Sequence, residues 1–194
     1  MWLLFPAKLK KEIQQELSVY KVTIKDRILL NENYLIFMYQ KNLRKAEFYR
    51  RSLKKMGGVR YKLFYIWYRR KLGYWANKTG IYIGLNTVGI GLRIMHTGSI
   101  MVNATIGKNC NLYNQVLLGQ TKSYDYRPIV GDNVSICSGS RIIGKVMVGN
   151  NSVVAPNAVV THDIPDNAIV VGIPAKILKY RKEDKNYGNN KDRD

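Results

Sequence analysis

Aliphatic residues recur every six positions through the second half of the chain. Val88, Ile94, Ile100, Ile106, Leu112, Leu118, Val130, Ile136, Ile142, Val148, Val154 and Val160 keep this spacing, with one double step between Leu118 and Val130. Four positions after many of them stand small or compact residues: Gly98, Ala104, Cys110, Val116, Val134, Ser140, Val146, Ser152 and Ala158. The residue directly after is often Gly or Ala, as at Gly107, Gly119, Gly131, Gly149 and Ala155. A chain that turns through a fixed angle every six residues sends each aliphatic side chain into one shared interior, and Gly and Asn permit the bends. The pattern predicts a mainly β solenoid of short parallel strands.

The first part of the chain has another texture. Residues 7–17, 31–56 and 60–72 carry apolar side chains at mixed three- and four-residue spacing, with Leu35, Met38, Tyr39, Leu43 and Phe48 as an example, which predicts helices separated at Gly57-Gly58. The reading divides the chain into a basic α-helical region (1–78), a β domain (79–178) and a charged tail (179–194).

Charge sharpens this division. The net charge is +19, and residues 1–78 hold 19 of the 32 cationic residues against 5 of the 13 acidic ones. Such an excess points to an acidic partner: nucleic acid, an anionic membrane surface or phosphate-bearing ligands. Nucleic acid is disfavoured, because no recognition-helix, zinc-finger or RNP-like pattern accompanies the charge. The stretch Tyr61–Lys71 mixes aromatic and cationic side chains. Two destinations suit it, packing against the next domain or another subunit, or peripheral contact with the inner face of an anionic membrane. The apolar opening Met1-Trp2-Leu3-Leu4-Phe5 is cut off by Pro6 and by Lys8, Lys10 and Lys11, and no later stretch has the apolar length to span a bilayer. Two cysteines, Cys110 and Cys137, are too few for a disulfide framework and read as small core-lining residues in a reducing, cytoplasmic setting.

Rows such as Ile106-Gly-Lys-Asn-Cys-Asn, Val148-Gly-Asn-Asn-Ser-Val and Val154-Ala-Pro-Asn-Ala-Val resemble the hexapeptide repeat of the left-handed parallel β-helix acyltransferases. The segment from Val159 to Lys176, ending Gly-Ile-Pro-Ala-Lys, is similar to that family's closing segment, and the resemblance runs from near Ile81 to Leu178. Within the family, Gly91-Leu-Arg-Ile-Met-His-Thr-Gly98 and Leu112-Tyr-Asn-Gln-Val-Leu-Leu-Gly-Gln120 look most like serine acetyltransferases and relatives that O-acetylate sugars for surface polysaccharides. The resemblance implies a left-handed β-helix, acetyl-CoA as cosubstrate, no required metal, and a homotrimer with each site between two subunits. A γ-type carbonic anhydrase of the same fold needs three histidine ligands for zinc, and this chain has only His96 and His162.

His96 interrupts the repeat and matches the family's general base. An acceptor hydroxyl is a poor nucleophile at neutral pH, and a neutral imidazole can remove its proton during attack on the thioester, typically worth about 10²–10⁴-fold in rate. The resemblance also implies coenzyme A contacts at Gly119, Ser138, Gly139 and Pro156, a phosphate-neutralising role for Lys176 and a weaker one for His162, while Asn114 and Arg127 are the candidate acceptor contacts. The 120–127 segment replaces a regular row and reads as a loop leaving the solenoid.

Three departures bear on the acceptor. Serine acetyltransferases usually carry Asp before the histidine, where this chain has Met95. They carry a second His before the Pro, where Arg127 stands, and an acceptor-binding carboxylate that has no counterpart near Ile81. The sequence therefore favours a saccharide or lipid-linked saccharide acceptor in polysaccharide biosynthesis. Serine O-acetylation is the alternative enzymatic reading, and a non-catalytic β-helical scaffold or binding module is the alternative of another class.

Overall fold

The computed structural model describes residues 5–120 and 126–181. Met1–Leu4, residues 121–125 of the expected loop and the tail from residue 182 lie outside the described residues. Among the described residues four helices come first: α1 (Ala7–Ser18), α2 (Ile24–Ile28), α3 (Glu32–Met56) and α4 (Val59–Thr79). The periodicity located α1, α3 and the start of α4, and the break falls at Gly57 and Gly58, both at positive φ. Helix α4 runs past the expected end at Leu72, because Ala76 and Thr79 continue the buried face of Tyr68 and Leu72, and Gly80 in the left-handed conformation then stops it. The short α2 was not anticipated. It is set by local polar chemistry, a capping box in which Thr23 and Asp26 satisfy each other's backbone N–H.

Fourteen short strands follow among the described residues: β1 (Ile81–Ile83), β2 (Arg93–Ile94), β3 (Ile100–Val102), β4 (Thr105–Ile106), β5 (Asn111–Leu112), β6 (Leu117–Gly119), β7 (Ile129–Val130), β8 (Ser135–Ile136), β9 (Arg141–Ile143), β10 (Met147–Val148), β11 (Val153–Val154), β12 (Val159–Val160), β13 (Ala168–Val171) and β14 (Lys176–Tyr180). They form three sheets, β1-β3-β6-β9-β12, β4-β7-β10 and β2-β5-β8-β11-β13-β14. Every pairing is parallel except β13 with β14. Each coil visits the three sheets in turn, which makes a triangular prism. All twelve residues of the six-residue series are buried, so the periodicity located the interior correctly. The hairpin from β13 to β14 carries β structure past Leu178, with Arg181 N–H donating to Asn167 O.

The register shows a local departure from the six-residue rule. Ile94 pairs with Leu112 and Val102 with Leu118, so the step from Ile94 to its counterpart in the next sheet is eight residues long, where Leu112 to Leu118 takes six. The following step, from Val102 to Ile106, takes only four. Ile100 points inward but stands beside Ile81 rather than opposite Leu118. The corner that contains His96 is thus two residues wider than its neighbours.

The first coil would leave sheet edges unpaired, and the helices complete them with buried side chains. Tyr39 and Tyr20 hydroxyls accept from Ile83 N–H and Ile94 N–H, Glu47 accepts from Asn86 N–H, and Glu16 from Gly91 N–H. Arg44 donates to Val88 O (2.9 Å) and Gly89 O (2.6 Å), and Gln40 donates to Leu92 O. Arg44 is itself held between Glu16 and Glu47. Burial opposes its charge, but the two carboxylates outweigh that and keep the guanidinium firmly protonated. Burial raises the Tyr20 and Tyr39 hydroxyls well above the usual tyrosine range, so both stay neutral.

Candidate active site

The widened corner turns His96 out of the prism. Its side chain is 55% exposed, and its Nδ1 lies 3.2 Å from Glu32 Oε2. Glu32 is the first residue of α3, following Asn31, whose side-chain amide donates to Asp26 of the capped α2 turn. The other Glu32 oxygen accepts from Thr97 N–H (2.7 Å) and from the Thr97 hydroxyl (2.9 Å). Partial burial pushes the Glu32 carboxyl upward, but these Thr97 bonds and the His96 contact outweigh it and hold it below the ordinary glutamate value. With the carboxylate ionised, Nδ1 is the ring nitrogen placed to donate to Glu32. In a neutral ring that arrangement leaves the lone pair on Nε2 and holds the ring in one orientation.

The sequence named no orienting partner for His96, because Met95 stands where the family's carboxylate directly precedes the histidine. Ile81, near which an acceptor-binding carboxylate was expected, is fully buried in β1. The carboxylate that meets His96 comes instead from 64 residues upstream in the chain. The only local signal was an acidic residue after Asn at a helix start, which by itself reads as dipole compensation.

The remaining candidates fall on two edges of the prism. His96, Asn114, Ser138, Gly139 and Pro156 occupy the corner between the β2 and β3 sheets in successive coils. Gly139 N–H donates to Asn114 O (3.2 Å) and Asn157 N–H to Ser138 O (3.0 Å), which stacks these turns. Gly139 is at φ +73, and a Cβ there would lie 2.1 Å from Asn157 Oδ1, so a side chain at this turn has to displace that amide.

Gly119, Arg127 and His162 lie on the next edge, where the chain leaves the β6–β9–β12 face for the β4–β7–β10 face. Gly144 N–H donates to Gly119 O, and Pro128, directly after Arg127, accepts from Thr105 N–H. Gly119 also borders a cavity of about 490 Å³ between that face and α4, lined by Arg69, Tyr82, Met101, Asn103 and Gln120 among others. His162 and Lys176 are exposed, the latter opening β14 at the C-terminal end. A single chain therefore unites His96 with Asn114, Ser138, Gly139 and Pro156 and leaves Gly119, Arg127 and His162 apart.

Cys110 is fully buried, and burial pushes its thiol up to about 11. Cys137 is half-buried with its thiol also raised by burial, and both are free. Neither has the thiolate character of a nucleophile. Among the described residues, no three His, Cys, Asp or Glu side chains gather as a metal site.

Residues 127–162 match the family described as bacterial transferase hexapeptide (six repeats). A serine acetyltransferase of Staphylococcus epidermidis (strain ATCC 35984) is 36% identical over 96 residues, 47% of this chain and 45% of that protein. One from Staphylococcus aureus (strain Mu50) matches to the same extent. The chain spans about half the length of these curated relatives. Among solved structures, the Neisseria gonorrhoeae serine acetyltransferase in complex with serine superposes with a TM-score of 0.62 at 25% identity, over 91% of this chain and 71% of that one. The soybean serine acetyltransferase apoenzyme gives 0.68 at 24% identity, over 88% and 69%, a likeness of fold. The chain is a hexapeptide-repeat protein with the left-handed β-helix fold, and it fits the acyltransferases of that repeat, the serine acetyltransferases in particular.

Proposed function

We propose that this chain is an acetyl-CoA-dependent O-acetyltransferase working in the cytoplasm, with His96 as general base. The observation that carries the reading is the His96–Glu32 contact on the corner column. It fixes the imidazole with Nε2 as acceptor. In the reaction, Nε2 takes the acceptor's hydroxyl proton as its oxygen attacks the thioester carbonyl. The tetrahedral adduct then expels the coenzyme A thiolate, which receives that proton, leaving an acetyl ester and free thiol. Backbone at Ser138, Gly139 and Pro156 would line the pantetheine arm, and Lys176 and His162 would meet phosphate.

Serine becomes the first acceptor to consider, because the relatives are named for it and none reported above is named for a saccharide. The saccharide reading keeps one specific support: Met95 and Arg127 stand where the resemblance leads one to expect an aspartate and a histidine, and the expected acceptor carboxylate has no counterpart near Ile81. The homotrimer that the resemblance implies would bring Gly119, Arg127 and His162 of one prism toward His96 of the next.

Thiol release from acetyl-CoA, with serine and a panel of sugars and nucleotide sugars, tests the proposal. Release that depends on an acceptor and falls about 10²–10⁴-fold in His96→Ala supports it. Absence of release, together with absence of acetyl-CoA binding by calorimetry, would favour the scaffold reading.

A further inference from the structure

Helix α4 divides the aromatic and cationic residues noted in the sequence into two sets. Tyr68 and Leu72 are buried, with Tyr61, Phe64, Tyr65 and Trp75 packed against the core. The opposite face carries Val59, Leu63, Ile66, Trp67 and Tyr74, all exposed, with Leu63 at 63% and Trp67 at 52%. At 100° per residue these five fall on one side of the helix. The same helix holds six cations (Arg60, Lys62, Arg69, Arg70, Lys71 and Lys78) and no carboxylate. Lys71 Nζ sits 4.7 Å from the centre of the Trp67 ring, and Lys78 Nζ 5.4 Å from that of Tyr74, so cations flank the exposed rings.

The positive field continues onto the neighbouring helices. Lys41 of α3 is pushed below the ordinary lysine value by half-burial and by the charges of Arg27 on α2 and Lys71 on α4. Helix α2 exposes Ile24 and Ile28 beside Arg27. A second copy of this chain would set an acid-free cationic helix against another, which like-charge repulsion opposes. Exposed apolar and aromatic side chains ringed by uncompensated cations complement a surface that is anionic outside and apolar beneath.

We propose that the exposed face of α4 docks the protein on an anionic phospholipid bilayer, with Leu63, Ile66 and Trp67 entering the headgroup boundary and Arg70, Lys71 and Lys78 meeting lipid phosphates. The docking is independent of the reaction proposed above. No described helix is long and apolar enough to cross a membrane, so the contact is peripheral.

Co-sedimentation of the full chain with vesicles tests this. The expected result is binding to equimolar phosphatidylglycerol and phosphatidylcholine, none to phosphatidylcholine alone, and release at high salt. Trp67→Ser with Leu63→Ser abolishes the blue shift of tryptophan emission on vesicle addition and weakens binding. Arg70→Gln with Lys71→Gln weakens it by roughly fivefold per charge. Lys108→Gln with Lys145→Gln removes the same charge from the β-helix and leaves binding almost unchanged. Absence of binding, equal binding to neutral vesicles, or equal losses from both cation pairs would overturn the proposal. So would light scattering that shows Trp67→Ser dissociating a larger assembly, which would mark the face as a contact between copies.

Discussion

Glu32 bridges His96 and Thr97, taking the imidazole Nδ1 on one oxygen and the Thr97 backbone and hydroxyl on the other. One carboxylate thus fixes both the ring and the corner that presents it. Glu32→Gln keeps the shape of this bridge and loses its charge. Through the proposed reaction, kcat falls about tenfold, short of the roughly 10²–10⁴-fold that loss of the base itself would cost because His96 remains, while KM for acetyl-CoA changes little. Steady-state thiol release checks the split, and a purely structural role for Glu32 would move both constants or the melting temperature instead.

The same bridge sets a pH dependence. The folded-state value of Glu32 lies below its ordinary value of about 4.3. Its stabilising contribution is therefore fully present above that ordinary value and is lost as pH falls through the lower folded one. Urea midpoints between pH 7 and pH 3 should converge for wild type and Glu32→Gln only at the acid end.

Arg44→Met tests the polar cap on the first coil. The substitution leaves Glu16 and Glu47 buried without their cation and frees the carbonyls of Val88 and Gly89. Breaking such a buried pair costs about 3–5 kcal/mol. A fall of that size in unfolding free energy is expected from chemical denaturation. Earlier hydrogen exchange at the Ile83 and Ile94 amides should accompany it, because both donate to tyrosines of the same cap.

Gly139→Ala probes the corner column. An L-residue in the left-handed conformation costs about 1–2 kcal/mol, and the added Cβ also displaces the Asn157 side chain. Thermal unfolding should register at least that loss. Acetyl-CoA affinity should fall as well if the column lines the pantetheine arm.

The interior was legible in the sequence because a solenoid repeats one local rule, and twelve aliphatic positions obeyed it. Long-range polar contacts were not. Glu32 meets His96 across α3 and the prism, and Arg44 reaches Val88 O, through tertiary placement that leaves no periodic trace. The widened corner was equally hidden, because Ile100 keeps the six-residue spacing in sequence while Val102 takes the paired position in space. Helix α2 was missed since five residues are too short to show a period, and its signal was the Thr23–Asp26 box.

The eight-residue step to Val102 followed by a four-residue step to Ile106 cancels over two sides of the prism, and the later rungs stay aligned. The solenoid therefore counts faces rather than residues. A corner can grow outward at the expense of the next one without disturbing the stack above it. Reactivity in such a scaffold can be redesigned by moving residues between adjacent corners, leaving the total length and the hydrophobic column as they are.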